Sequence, residues 1–157
     1  MCRLARAVYA DPPSRAYDGR GSAQSGQRWN AKGVRATYTS ETLSLAALEY
    51  LGTLVDLNDA PADLVAIVAE LDENALEIVD TALLPGWDAT PPDVSVRFGS
   101  DWARERRSVA LRVPSVVIPS EPNYVLNPEH PDFGHAVIIG PAQRFTFDQR
   151  LIRLIKS

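Results

Sequence analysis

The segment Gly26-Gln27-Arg28-Trp29-Asn30 sets an obligate cation beside an aromatic ring within a glycine-rich stretch. Arginine suits phosphates because its planar fork donates two parallel hydrogen bonds and its charge does not titrate away. Arg28 can therefore hold a diphosphate, although a solvent-facing Arg28 beside a packed Trp29 satisfies the same pattern. Tyr38 closes a β-prone run, where its ring can stack on a planar heterocycle or complete a core. Glu49 falls outside the apolar stripe of an expected helix, next to Leu45 and Ala46, so it is either solvated or lines a cleft. In a cleft its carboxylate can stabilise a ribosyl cation or bind ribose hydroxyls. Ser115 follows Pro114 in Leu111-Arg112-Val113-Pro114-Ser115 and can hydrogen-bond a ligand or cap local backbone. Ser120, after Ile118-Pro119, repeats the pattern.

Other chemistries lack their residues. No Gly-x-Ser-x-Gly elbow surrounds Ser115, and only two histidines exist to serve as base. Those two, His130 and His135, flank a proline-containing loop without the helical spacing of a zinc pair, so no metal is expected. There is no Gly-x-Gly-x-x-Gly after a strand and no Walker loop, which argues against a Rossmann or P-loop site. A lone Cys2 gives no internal disulfide and no redox pair. Asn123 and Asn127 read as residues that order turns. The formal charge of −4, from 16 basic and 20 acidic residues, provides no field for nucleic acid. The basic run Arg104, Arg106 and Arg107 is interrupted by Glu105 and reads as a solvated helix face. No apolar run reaches membrane-spanning length and the start lacks a signal-peptide core, so a cytoplasmic protein is expected.

The elements that must position these residues follow from local pattern. A chain of 157 residues with 45% apolar content fits one domain, expected over 1–157. Arg3 to Tyr9 reads as an opening strand stopped at Pro12-Pro13. Asp18 to Gly33 reads as a long irregular loop. Val34 to Thr39 reads as a strand, Ser40 as an N-cap, and 41–55 as a helix whose stripe is Leu43, Ala47, Tyr50, Leu51 and Leu54. Leu64 to Leu71 suggests a buried strand, with a helix as the alternative. Val94 to Arg107 suggests a helix and Val109 to Ile118 a strand broken at Pro114. Further strands are expected at Val137 to Ile139 and Arg144 to Phe147. The mixture argues for α+β or α/β around a twisted sheet.

Taken in order, these pieces resemble the RES domain, a family named for Arg, Glu and Ser. The resemblance rests on Gly-Gln-Arg-Trp-Asn at 26–30, Gly33, Tyr38-Thr39-Ser40, Leu45-Ala46-Ala47-Leu48-Glu49, Leu-Arg-Val-Pro-Ser at 111–115, Asn-Tyr-Val-Leu-Asn-Pro at 123–128, His130, and Phe147-Asp148-Gln149-Arg150-Leu151. It implies an α+β fold like that of ADP-ribosyltransferases and diphtheria-type toxins, with a central twisted sheet and flanking helices. It also implies a toxin that consumes NAD as substrate without a cofactor, with inorganic phosphate as an optional co-substrate. The partner implied is an Xre-type helix-turn-helix antitoxin, in a higher-order hetero-oligomer. Carried over by position, Arg28 would bind the NAD phosphates and Tyr38 would stack on nicotinamide. Glu49 would support the ribosyl cation, and Ser115, preferred over Ser120, would hydrogen-bond in the nicotinamide or ribose pocket. Trp29 and Asn127 complete the expected substrate-binding set. The alternatives are an ADP-ribosyltransferase acting on a cellular protein and a non-catalytic NAD-like binding module held by the antitoxin.

Overall fold

A computed structural model describes residues 1–54 and 61–154. Seven strands form one sheet: β1 (Cys2–Arg6), β2 (Thr37–Ser40), β3 (Leu64–Leu71), β4 (Leu76–Ile78), β5 (Ala110–Pro114), β6 (Pro122–Leu126) and β7 (Val137–Phe145). Their spatial order is β4-β5-β6-β2-β1-β3-β7, and every neighbouring pair is antiparallel except β4 with β5. Among the described residues five α-helices flank it: α1 (Arg20–Ser25), α2 (Leu43–Gly52), α3 (Asp93–Glu105), α4 (Phe133–Ala136) and α5 (Gln149–Leu154). The α+β expectation holds; the parts of the expected 1–157 unit at 55–60 and 155–157 lie outside the described residues.

The sheet is nearly two sheets. β1 runs along β3 through five residue pairs, and β2 runs along β6 through four, but β1 and β2 meet only where Cys2 opposes Ser40. Beyond that point the two central strands diverge, leaving the facing edges of Arg3 to Arg6 and Thr37 to Thr39 without a shared ladder.

Several local expectations are corrected. The opening strand ends at Arg6, because Ala7–Tyr9 turns as a 3-10 helix before the prolines. The stretch 18–33 is ordered rather than irregular. It contains α1, and the Asn30 amide donates to the carbonyls of Ser22, Ala31 and Val34. Side-chain bonds to the main chain of this kind leave no periodic signal. The helix cap is Thr42, whose hydroxyl accepts from the Leu45 N–H at 3.1 Å, while Ser40 ends β2. α2 stops at Gly52, and the expected last residue of that helix, 55, lies outside the described residues. Its buried face carries Leu45, Ala46 and Leu51, whereas Leu43 is exposed. The helix is apolar almost all round, so spacing alone could not choose the face. The strand reading of Leu64 to Leu71 holds. β5 covers only Ala110–Pro114 of the expected run, and the strands expected at 137–139 and 144–147 are one, since a bulge opposite Ile67 and Ala69 absorbs Gly140-Pro141. β4 and β6 were not anticipated. The basic run after Trp102 is exposed; Arg107 pairs with Glu77 at 2.6 Å and Arg104 with Asp101 at 3.5 Å.

α3 sets the position of the segment that begins with Gly26. Its buried face is made of small residues and one anchor, Trp102, which is fully enclosed and donates from Nε1 to Ser108 Oγ at 2.8 Å. Ser100 Oγ accepts from the Ala31 N–H at 2.8 Å, and a Cβ on Gly99 would sit 2.0 Å from the Trp29 carbonyl oxygen. The backbone of residues 29–31 therefore lies directly on the helix. Gly99→Ala should lower unfolding free energy by about 2–3 kcal/mol, through overpacking against main chain that cannot give way. Urea melts of the two proteins measure it, and equal midpoints would show that the helix is not this close.

Tyr17 gives the fold an alkaline limit. It is 1% exposed and its hydroxyl reaches the Ile67 carbonyl at 3.4 Å. Burial pushes its pKa up to about 12, against a smaller downward pull from Arg3 and with a minor upward contribution from Cys2. The folded state thus keeps this proton longer than the unfolded chain, whose tyrosines titrate near ~10. Its contribution is fully present below pH ~10 and is lost as pH rises toward the folded value, at up to about 1.4 kcal/mol per pH unit. Tyr17→Phe removes that share of the decline, so the stability gap between wild type and variant should move in the variant's favour between pH 9 and 11. A gap independent of pH would refute the assignment.

Candidate active site

The divergence of β1 and β2 opens a cleft with two lobes. The first, of about 260 Å³, is lined by Cys2, Tyr38, Ser40, Glu49, Thr53 and Asn123 among others. The second, of about 520 Å³, is bordered by Arg15, Asp18, Arg20 and Tyr9. Arg3, Leu4, Gln27, Tyr38 and Tyr50 line both.

Arg3 stands at the junction. Its Nη1 donates to the Tyr38 carbonyl at 2.7 Å, joining the two strands where their ladder is absent. Nε is sealed from solvent and has no partner among the described residues. Burial holds the guanidinium below its ordinary pKa, with Tyr17 and Asp18 opposing that shift. A buried donor without an acceptor is costly, and the same side chain lines both lobes, where an anionic ligand can meet its charge. Sequence reasoning passed over Arg3 because it sits inside a β-prone run; an arginine in a strand interior was the available signal.

Glu49 projects from α2 into the first lobe. Its Oε1 accepts from Ser115 Oγ at 2.7 Å and from the Asn123 amide. Ser115 is fully buried, and its oxygen also accepts from the N–H groups of Val117 and Ile118 at 3.0 and 2.9 Å. Its single proton is therefore committed to Glu49. Ser120 is exposed and lies in another depression, beside Arg112 and Pro119, so the geometry brings Ser115 and not Ser120 to the carboxylate. Asn123, read from sequence as a turn residue, stands on β6 directly opposite Ser40, whose hydroxyl donates to Asn123 Oδ1 at 2.7 Å.

Tyr38 contributes its ring to both lobes. Its hydroxyl accepts from the Trp29 N–H at 2.9 Å and donates to Asn30 Oδ1 at 2.7 Å. Burial raises the phenol pKa well above the usual value, outweighing the hydrogen bond from Trp29 and the charge of Arg28. Tyr38 is thus a neutral, fixed ring and not an acid or base near pH 7.

The other expected residues lie apart from the cleft lining. Arg28 neighbours Gln27, but its Nη1 donates to the carbonyls of Trp87 and Ala89 at 3.2 and 3.0 Å. Trp29 is 3% exposed, with its ring stacked on Trp87 and edge-on to Phe98. Asn127 is 1% exposed, donates to the Ala103 carbonyl at 2.9 Å and accepts from the Glu129 N–H at 3.1 Å. Trp29 and Asn127 thus lie outside the cleft lining, with partners in the core and in the turn after β6. His130 Nδ1 accepts from the Asp132 N–H within its own turn.

Ser115→Ala should cost about 1–3 kcal/mol, because the Val117 and Ile118 N–H groups lose their acceptor and Glu49 loses a donor. Ser120→Ala should stay within about 0.5 kcal/mol. Paired denaturant titrations check both, and equal losses would remove Ser115 from its special position.

Comparison with known proteins identifies the family. The RES domain matches residues 1–148. "Prs ADP-ribosylating toxin" of Sphingobium sp. (strain YBL2) is 37% identical over 142 residues, covering 86% of each chain. "Toxin Res" of Photorhabdus laumondii is 33% identical over 158 residues, covering 99% of each. A chain in the crystal structure of the M. tuberculosis MbcT–MbcA toxin–antitoxin complex superposes over 99% of this chain and 87% of its own, with TM-score 0.68 at 15% identity, which speaks for a shared fold. The family model over nearly the whole chain and these relatives show that the chain belongs to the RES domain family.

Proposed function

We propose that the chain is the toxin of a toxin–antitoxin pair and that it cleaves the nicotinamide–ribose bond of NAD. The observation that carries this reading is the pairing, in one cleft, of an oriented carboxylate at Glu49 with a half-buried cation at Arg3 whose Nε has no partner among the described residues. The Glu49 lobe takes the nicotinamide riboside end, where the Tyr38 ring offers a stacking face. The diphosphate lies across Arg3, and the adenosine end enters the lobe bordered by Arg15 and Arg20. Arg28 joins the phosphates by exchanging the neutral carbonyls of Trp87 and Ala89 for a charged acceptor, since charge-assisted bonds are roughly twice as strong.

In the reaction the C1′–N glycosidic bond breaks and its electron pair neutralises the pyridinium nitrogen. The leaving group needs no proton, so no acid is required. Positive charge develops on the ribosyl ring, and the Glu49 carboxylate stabilises it from a geometry set before substrate arrives. Water adds to C1′ and releases a proton, giving ADP-ribose; inorganic phosphate in its place gives ADP-ribose phosphate. Transfer to a protein side chain is the second reading, favoured by the relative named as a Prs ADP-ribosylating toxin. NAD is substrate throughout and no separate cofactor is invoked. The toxin–antitoxin complex formed by the structural neighbour supports an antitoxin partner, which we assign to the Xre helix-turn-helix type, in a cytoplasmic hetero-oligomer that covers the cleft.

The purified chain, freed of any partner, should release nicotinamide when incubated with NAD, NAD plus phosphate, or NAD plus cell extract. Glu49→Gln should lower turnover about 10²–10³-fold, the usual scale for losing a preorganised electrostatic group. Arg3→Met and Arg28→Ala should mainly raise KM. Folded protein that releases no nicotinamide in any mixture would sink the proposal.

A further inference from the structure

Asn123 is a polar side chain at the active carboxylate to which no step of the reaction assigns a role. An ionised carboxylate can only accept hydrogen bonds, so the end of the amide that meets Glu49 must be its NH2 group. The amide oxygen then points the other way, where it needs a donor. Ser40 Oγ supplies one at 2.7 Å and is itself 3% exposed. Take away that hydroxyl and nothing on the described surface of the site prevents the amide from turning its oxygen toward Glu49. Ser115 completes the arrangement: its oxygen already accepts two backbone N–H groups, so its proton has one destination, the same Oε1. Both donors converge on Oε1, and Oε2 has no partner among the described residues.

We propose that Asn123, oriented by Ser40, is a positioning residue that fixes which oxygen of Glu49 is left for the substrate cation. The inference rests on the reading of Glu49 given above. Ser40 and Asn123 are directly opposed in the β2–β6 ladder, so their contact is built into strand register and needs no loop ordering. Ser40 is also the residue through which β2 meets β1. The carboxylate's orientation is thereby tied to the point where the sheet divides, and the cleft and its charged group are set by one residue pair.

Four variants test this on the full chain. Asn123→Asp keeps the shape but turns an acceptor toward Glu49; it should lower kcat for nicotinamide release about 10²-fold with KM for NAD changed less than about threefold. Ser40→Ala should lower kcat less, by about 10-fold, again with KM held, because the amide is freed rather than replaced. Ser40→Thr, which keeps the hydroxyl, should recover most of that loss. The fourth variant, Glu49→Gln, is read by amide NMR without substrate: in wild type one Asn123 side-chain proton should be shifted downfield by the carboxylate, and it should return toward ordinary values in Glu49→Gln and in Ser40→Ala. Full kcat in Asn123→Asp would overturn the proposal, as would a fall shared equally by kcat and 1/KM, or an Asn123 amide indifferent to Glu49→Gln. A wild type that fails to cleave NAD but shows the amide signature would reject the reaction while leaving the positioning contact established.

Discussion

The structure depends on one backbone junction. Cys2 and Ser40 form the lone pairing between the two central strands, and everything that distinguishes this sheet from a continuous one begins there. Parting two strands inside a sheet exposes N–H and C=O groups that would otherwise bond to each other, which is unfavourable wherever water cannot replace the lost partner. A bare gap would close or fill. Here the gap is held by an arginine whose Nη1 satisfies the Tyr38 carbonyl, a tyrosine ring anchored through its hydroxyl, and a helix whose apolar side covers the end of β1 through Leu4, Cys2 and Ala46. The cleft is thus a consequence of the topology, and the residues that keep it open are among those that line it.

Polar groups at such a place must form a complete set. A buried network with every member satisfied is rigid, and one missing partner turns it into a liability. The Glu49 assembly meets this standard around Oε1: the serine at the end of β5 uses its lone pairs on main chain and its proton on the carboxylate, and the asparagine of β6 uses both ends of its amide. Arg3 is the contrast, with a sealed Nε that no described group accepts from. The site therefore combines a finished half, which orients the negative group, with an unfinished half, which favours an incoming acceptor. The chain's overall negative charge does not oppose this, because fields of exposed surface charges are screened within about 10 Å, whereas a cation inside a low-dielectric cleft acts directly.

How much of this could be read beforehand depended on whether the determinant was local. The strand at Leu64 to Leu71 and the helix carrying Trp102 have patterns that hold within their own windows, and both were legible. The ordered set Arg28, Tyr38, Glu49 and Ser115 pointed to the family only as a whole, since each residue alone has a commoner explanation. β6 was missed because prolines and asparagines flank a short run whose strand character comes from β2 and β5 on either side. β4 is three residues long and exists because β5 offers it a ladder. The role of Ser40 as a strand end and donor, and that of Asn123, depend on contacts across more than 80 positions, which no spacing rule contains.

The helix α2 shows why the decisive residue was the hardest to place. Amphipathic analysis assumes that a charged side chain marks the solvent face, and an active-site helix breaks the assumption by turning its carboxylate toward the interior. Leu43, Leu48 and the other apolar residues around α2 then supply enough hydrophobic surface on every side to make two faces equally plausible. Only the partners decide between them. With Ser115 and Asn123 waiting on the sheet, burying Leu45 and Ala46 places Glu49 where two donors can receive it. The opposite rotation would leave those donors unmatched inside the protein, at about 1–3 kcal/mol for each lost partner. The helix orientation is therefore selected by the polar groups it must satisfy as much as by the apolar ones it buries, and the carboxylate proposed for catalysis acts as part of the fold's own specification.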